Sequence, residues 1–275
     1  MSHRRRNTQL FALRDAPPQH ITLGGGPYRL VRVFKHDFFA ATCLYQADAD
    51  ALPPRVVVKL GRTQPFCGLP MDWYGRWLHN HERDVYAALA GVEGVPRWAG
   101  SISPTAFAIE FVEAVPLDHL PAPPPGFFDA LAAIMRQIHA RHVAYMDANK
   151  RSNILVSPQG RPFLVDFQLA FRWRRGLPWP LGAIHGAITR GVQRWDIYHI
   201  YKHKRRLAPQ ELTAEEDELS RRRGLLHFLH RKIGKAWRGG RRRFLRHQVR
   251  SGRLESPTAE MEDHNQPEKA AWRGR

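Results

Sequence analysis

Two short stretches of the chain concentrate side chains able to do chemistry: Tyr145-Met146-Asp147-Ala148-Asn149-Lys150-Arg151-Ser152-Asn153-Ile154-Leu155-Val156 and Phe163-Leu164-Val165-Asp166-Phe167-Gln168. Aspartate and asparagine offer hard oxygen donors, aspartate can also take a proton, and lysine brings positive charge. Asn153 and Asp166 lie 13 positions apart. Read as two short strands, Asn153–Val156 and Pro162–Phe167, joined by the turn-forming run Ser157-Pro158-Gln159-Gly160, that interval returns Asp166 to the side of Asn153.

Two further charged residues fall where elements would hold them. Val56-Val57-Val58 is a stiff β-branched strand that ends in Lys59, whose long side chain can reach two phosphates. From Asp72 to Ala90 the pattern is helical, with Leu78, Val85 and Leu89 on one face and Glu82 inside that apolar stripe. Unpaired burial of a carboxylate costs several kcal/mol, so a Lys59–Glu82 pair would account for both residues.

These residues need a frame of α+β type. Tyr28 to Phe34, Ala40 to Tyr45 and Val56 to Val58 alternate as strands of an antiparallel sheet, after a Gly24-Gly25-Gly26 lead-in, and short strands are expected near Ala106 to Val112. The Pro-rich stretch Pro121 to Pro125 marks a boundary, since proline removes a donor and fixes φ. Beyond it Phe127, Leu131, Ile134 and Ile138 repeat at helical spacing through Arg141, and helices dominate from Trp195 onward. The expected organisation is an N-terminal extension over 1–20, a sheet-bearing N-terminal lobe over 21–120, a mainly helical C-terminal lobe over 121–250 and a disordered polar tail over 251–275.

In the order Lys59, Glu82, Asp147, Asn153, Asp166, and above all in Asp147 to Gln168, the chain resembles the protein-kinase superfamily over about Tyr28 to Arg206. The resemblance implies a two-lobed kinase-like fold with ATP between the lobes. It implies that Asp147 accepts or orients the proton of an acceptor hydroxyl, that Lys150 adds positive charge beside the transferred group, and that Asn153 and Asp166 hold Mg²⁺. Lys59 and Glu82 would then serve the nucleotide, with His36 and Phe38 in the turn that covers it. Asp196 would match a helix aspartate that braces the catalytic loop, although a surface position reads equally well.

The departures from the family pattern are informative. Asn153 follows Asp147 by six residues instead of five, Tyr145-Met146 replaces His-Arg, Gln168 replaces a glycine, and Phe34 to Ala40 holds no glycine. Without the arginine, control by a phosphorylated activation segment loses its cationic partner. An Ala-Pro-Glu motif is missing and the segment after Phe167 is short, which reduces the platform for peptide substrates. The chain is therefore most similar to the bacterial lipopolysaccharide-kinase branch and to small atypical Ser/Thr kinase-like proteins. The expected activity is ATP-dependent phosphorylation of a hydroxyl on an anionic glycolipid or sugar. The alternatives are a Ser/Thr protein kinase and a nucleotide-binding pseudokinase or RNA-associated adaptor.

Composition supports a folded enzyme with an unusual surface. Of 275 residues 43 are Lys or Arg and 25 Asp or Glu, a formal net charge of +18 that favours phosphate-rich partners. Arg221 to Arg253 contains 13 basic residues and no acidic one, interleaved with Leu226, Leu229, Ile233 and Trp237. That pattern is a basic amphipathic helix suited to an anionic membrane surface or to docking on the helical lobe, with nucleic acid a weaker fit. The absence of a secretory signal and of any membrane-spanning run, with only Cys43 and Cys67 present, leads to an expected cytoplasmic protein, peripheral at the inner membrane face.

Overall fold

Alternating burial builds the first part of the chain. In the computed structural model, which describes residues 10–48, 51–173, 176 and 178–221, strands β1 (His20–Leu23), β2 (Gly26–His36), β3 (Ala40–Ala47) and β4 (Arg55–Gly61) pair antiparallel in succession. With β5 (Trp98–Ser103) and β6 (Ala106–Glu110) they make a six-stranded sheet in the order β1-β2-β3-β4-β6-β5. Ile21, Tyr28, Val33, Cys43, Tyr45, Val56, Val58 and Ala108 supply its core. Burial pushes the Cys43 thiol up to about 12, so it stays an unreactive core side chain.

The glycine lead-in proves to be a hairpin turn. Gly24 and Gly25, at φ 58° and 84°, connect β1 to β2 in the left-handed conformation that a two-residue hairpin requires. Gly75 serves a different need, because a Cβ there would come within 2.3 Å of the Arg62 carbonyl oxygen. Its absence lets helix α1 (Asp72–Ala88) start hard against the end of β4.

The chain divides into two compact units. One holds the sheet, with residues 10–80 and 99–111; the other holds residues 81–98 and 112–221. Helix α1 runs through the division at Asn80, so Lys59 belongs to the sheet unit and Glu82 to the second.

The second unit is mainly helical. Helix α2 (Phe127–Ala140) buries Phe127, Phe128, Leu131, Met135 and Ile138 along the periodic face read from the sequence. Strands β7 (Val115–Pro116), β9 (Ile154–Val156) and β10 (Pro162–Leu164) form a small sheet, and β8 (Val143–Ala144) pairs with β11 (Phe171–Arg172). The long helix α3 (Leu181–Leu207) and α4 (Ala214–Arg221) complete it. Lys204 of α3 is buried and ties three helices together, donating to Asp129 of α2 at 2.6 Å and to Glu216 of α4 at 2.9 Å. The expected basic arm beyond Arg221 and the tail from 251 lie outside the described residues.

Candidate functional site

The loop that follows β8 is gripped from α3. Asp196 is 1% exposed, and its carboxylate accepts the backbone N–H groups of Tyr145 and Met146, each at 2.8 Å, with His139 Nε2 at 3.0 Å. Two successive amides turned toward one carboxylate place Met146 at φ 67°, a conformation that a non-glycine residue keeps only where its surroundings over-determine it. Nearly two turns further along α3, Lys202 Nζ donates to Asn149 Oδ1 at 3.1 Å.

His203 meets the carbonyl of Ala148 at 3.0 Å. Burial pushes its pKa down to about 4 against the raising influence of the Ala148 bond, with the cations Lys202, Arg151 and Arg206 pushing further down. The ring is therefore neutral near pH 7, and since a carbonyl only accepts, Nε2 carries the proton. An unfolded histidine protonates near 6.5, so the stability tied to this ring is whole above that pH and is lost as pH falls toward about 4, by up to roughly 3 kcal/mol. Thermal unfolding from neutral to acid pH should show this: His203→Gln, which keeps a donor for Ala148, should lose less stability on acidification than wild type. Parallel losses would remove His203 from that account.

The gripped loop carries a compact set of polar side chains. Asp147 is 7% exposed, and its Oδ2 accepts Lys150 Nζ at 2.7 Å and Asn153 Nδ2 at 2.8 Å. The backbone closes the interval, with Lys150 N–H on the Asp147 carbonyl and Asn153 N–H on that of Lys150, ending in a 3-10 turn over Arg151–Asn153. A six-residue separation therefore still brings Asn153 onto Asp147. Since the Asn153 amide nitrogen faces Asp147, its Oδ1 is turned the other way, where the Ser152 hydroxyl reaches it only at 3.5 Å.

The strand pair returns Asp166 as its spacing requires. Ile154 pairs with Leu164, and the Val165 N–H bonds the Asn153 carbonyl at 3.1 Å, so Asn153 and Asp166 stand at the same end of the β9–β10 hairpin. Asp166 adopts φ 63°, and the next residue, Phe167, is fully buried between the rings of Tyr86 and Tyr145, with centroids 5.2 and 5.1 Å away. The Tyr145 hydroxyl donates to the Val165 carbonyl. Burial, together with Asp147, Asp166, Tyr86 and Asp196, drives this hydroxyl well above its ordinary range; burial, Glu82 and Asp166 do the same to Tyr86. Both tyrosines therefore stay protonated, and Glu82, one of the acids acting on Tyr86, is 1% exposed.

No family model and no curated protein matches the chain.

The residues expected to hold a metal can be weighed on their own chemistry. Among the described residues no three His, Cys, Asp or Glu side chains cluster closely enough to hold an ion unaided. A donor set of one amide oxygen and one carboxylate suits Mg²⁺, which keeps waters and takes its remaining ligands from substrate phosphates. Asn153 and Asp166 fit that set because the Asp147 bond fixes which Asn153 atom is the acceptor.

In the sheet unit the expected nucleotide residues occupy distinct settings. Lys59 is half-buried on β4, opposite Thr42 and Phe107, on the face where His79 of α1 packs on the Phe107 ring. His36 is buried, and its Nε2 accepts the Leu13 N–H at 3.1 Å. Phe38 lies over the guanidinium of the fully buried Arg62, 4.0 Å from it. Arg62 also donates to the carbonyls of Phe11 and Phe38, while Asp37 accepts the N–H groups of Phe39 and Ala40. Burial works to raise the Asp37 carboxyl, but the Lys35 ion pair and those amides outweigh it and hold it low. The β2–β3 turn is thus secured by side chains and by a strap at Phe11–Leu13, neither of which any local pattern announces.

Proposed function

We propose that this chain is a kinase-like phosphotransferase that moves the terminal phosphoryl group of ATP to a hydroxyl of an anionic glycolipid or sugar. The observation that carries the reading is the Asp147 carboxylate, held by Lys150 and Asn153 on a loop whose amides are gripped by Asp196, with Asp166 at the adjoining hairpin end. Such transfer asks little covalent work of a protein and much positioning and charge neutralisation.

In this reading Asp147 orients the acceptor hydroxyl and takes its proton as the oxygen attacks phosphorus. Lys150 places positive charge beside that carboxylate, where charge on the transferred group has to be balanced. Asn153 Oδ1 and Asp166 would hold Mg²⁺, which when bound neutralises the phosphate oxygens and aligns them. Lys59 takes the part of the phosphate-binding lysine. The β2–β3 turn, its amides already engaged by Asp37, would cover the nucleotide with side chains instead of a glycine-rich backbone.

Purified full-length chain should consume ATP only with Mg²⁺ present, stop on chelation, and label a glycolipid extract in preference to protein substrates. Labelling of proteins alone would move the acceptor to Ser or Thr hydroxyls. Tight nucleotide binding with no turnover on any acceptor would make the chain a pseudokinase and end this reading.

A further inference from the structure

Helix α3 grips the loop that carries Asp147 with one face and, among the described residues, leaves another uncovered. Leu181, Ile184 and Ile188 are 55%, 54% and 51% exposed, and Trp179, just ahead of the helix, is 86% exposed. At about 100° per residue the three aliphatic side chains fall within an arc of about 60°, a continuous stripe along the first two turns. An exposed apolar stripe of this kind marks a binding surface.

Charge decides what it fits. Among residues 181–207 the only acid is Asp196, buried and engaged with the Tyr145 and Met146 amides. Arg190, Arg194 and Arg206 are exposed, and Lys202 is half-exposed. Lys202 lies within about 40° of Ile188 around the helix and about 21 Å further along it. There it touches Asn149 of the loop that carries Asp147, next to the exposed Arg151. An apolar stripe that runs into cations on a helix with no exposed acid of its own complements an anionic lipid surface, where aliphatic side chains and tryptophan enter the interface and basic residues meet the headgroups; the exposed acids Asp129, Glu215 and Glu218 belong to the neighbouring helices α2 and α4.

We infer that the exposed face of α3, from Trp179 through Ile184 and Ile188 to Lys202, docks the protein on an anionic bilayer and brings lipid headgroups to Asp147. The acceptor class, a headgroup hydroxyl, rests on the phosphotransferase reading; the docking face does not. It is also separate from the Arg221–Arg253 segment, because it needs apolar residues that lie ahead of that segment.

The test is sedimentation of the full chain with phosphatidylcholine vesicles, with or without phosphatidylglycerol, at physiological salt. The double substitution Ile184→Ser, Ile188→Ser should weaken binding to the anionic vesicles at least about tenfold, since two partly inserted aliphatic side chains are removed. Lys202→Gln should weaken it less and flatten its salt dependence. Brominated acyl chains should quench wild-type tryptophan emission more than that of Trp179→Phe. Wild-type binding by the double variant, with loss on Arg241→Gln, Arg242→Gln, Arg243→Gln, would assign the membrane contact to the basic segment and overturn the inference. Oxidative footprinting that finds Ile184 and Ile188 shielded without vesicles would also overturn it, the stripe being covered by a second copy or by the chain itself. Vesicle binding needs no turnover, so loss of either property alone tells the two readings apart.

Discussion

Asp147→Asn should reduce acceptor phosphorylation by about 10²- to 10⁴-fold if Asp147 takes the acceptor proton as proposed, the range set by removing a positioned general base. The two side chains are nearly the same size, and the asparagine oxygen, set where Asp147 Oδ2 stands, can still accept from both Lys150 and Asn153. What disappears is the carboxylate that can take a proton, together with its charge beside the Lys150 ammonium 2.7 Å away. The fold should survive, because one remaining acceptor keeps the turn from Asp147 to Asn153 closed, and its backbone bonds do not involve the side chain. Single-turnover product formation is the measurement, with a thermal melt beside it. Lys150→Ala should cost less, since the ammonium assists through charge alone. A fully active Asp147→Asn enzyme would take the base away from this position and leave the loop without its assigned chemistry.

How much of this was legible in the chain depended on whether the signal was local. Strands β2 to β4 and helix α2 declare themselves by period, and so does the burial of Glu82, because a carboxylate inside an apolar stripe breaks a pattern that is otherwise regular. The return of Asp166 to Asn153 follows from counting residues across one tight turn. Arg62 could not be read in this way. A fully buried arginine looks like a surface arginine in sequence, and its partners Phe11 and Phe38 are 51 and 24 residues away. The hairpin turn at Gly24-Gly25 was hidden for the opposite reason: glycine permits both a sharp turn and a loose lead-in, and β1 is only four residues long. Asp196 fell between these cases. Two of its three partners are backbone amides, which nearly every residue offers, and the third, His139, is 57 residues away, so only the three-dimensional course of the loop distinguishes a brace from a surface acid.

That brace carries the second large expectation. Asp196→Ala would strip three donors, two of them amides inside the fold, and each buried donor left without a partner costs about 1–3 kcal/mol. The sum is comparable with the whole stability of many domains, about 5–15 kcal/mol, so this variant is expected to accumulate poorly or unfold at low temperature. Asp196→Asn separates bracing from folding. One oxygen still accepts from Met146 or from the Tyr145 and His139 side, while the new amide group must face a donor on the other, at a cost of about 1–3 kcal/mol. Released on one side, Met146 can leave φ 67°, and the Asp147 carboxylate moves with it. On the proposed phosphotransferase reading the expected result is a folded protein whose kcat falls sharply while its KM for ATP changes little, since that reading has the carboxylate serve the acceptor and not nucleotide binding. In an Asp147→Asn background the same substitution should lower kcat hardly further, because a brace has nothing to position once the base is gone. Multiplicative losses in the double variant would mean that Asp196 acts by some route other than holding Asp147.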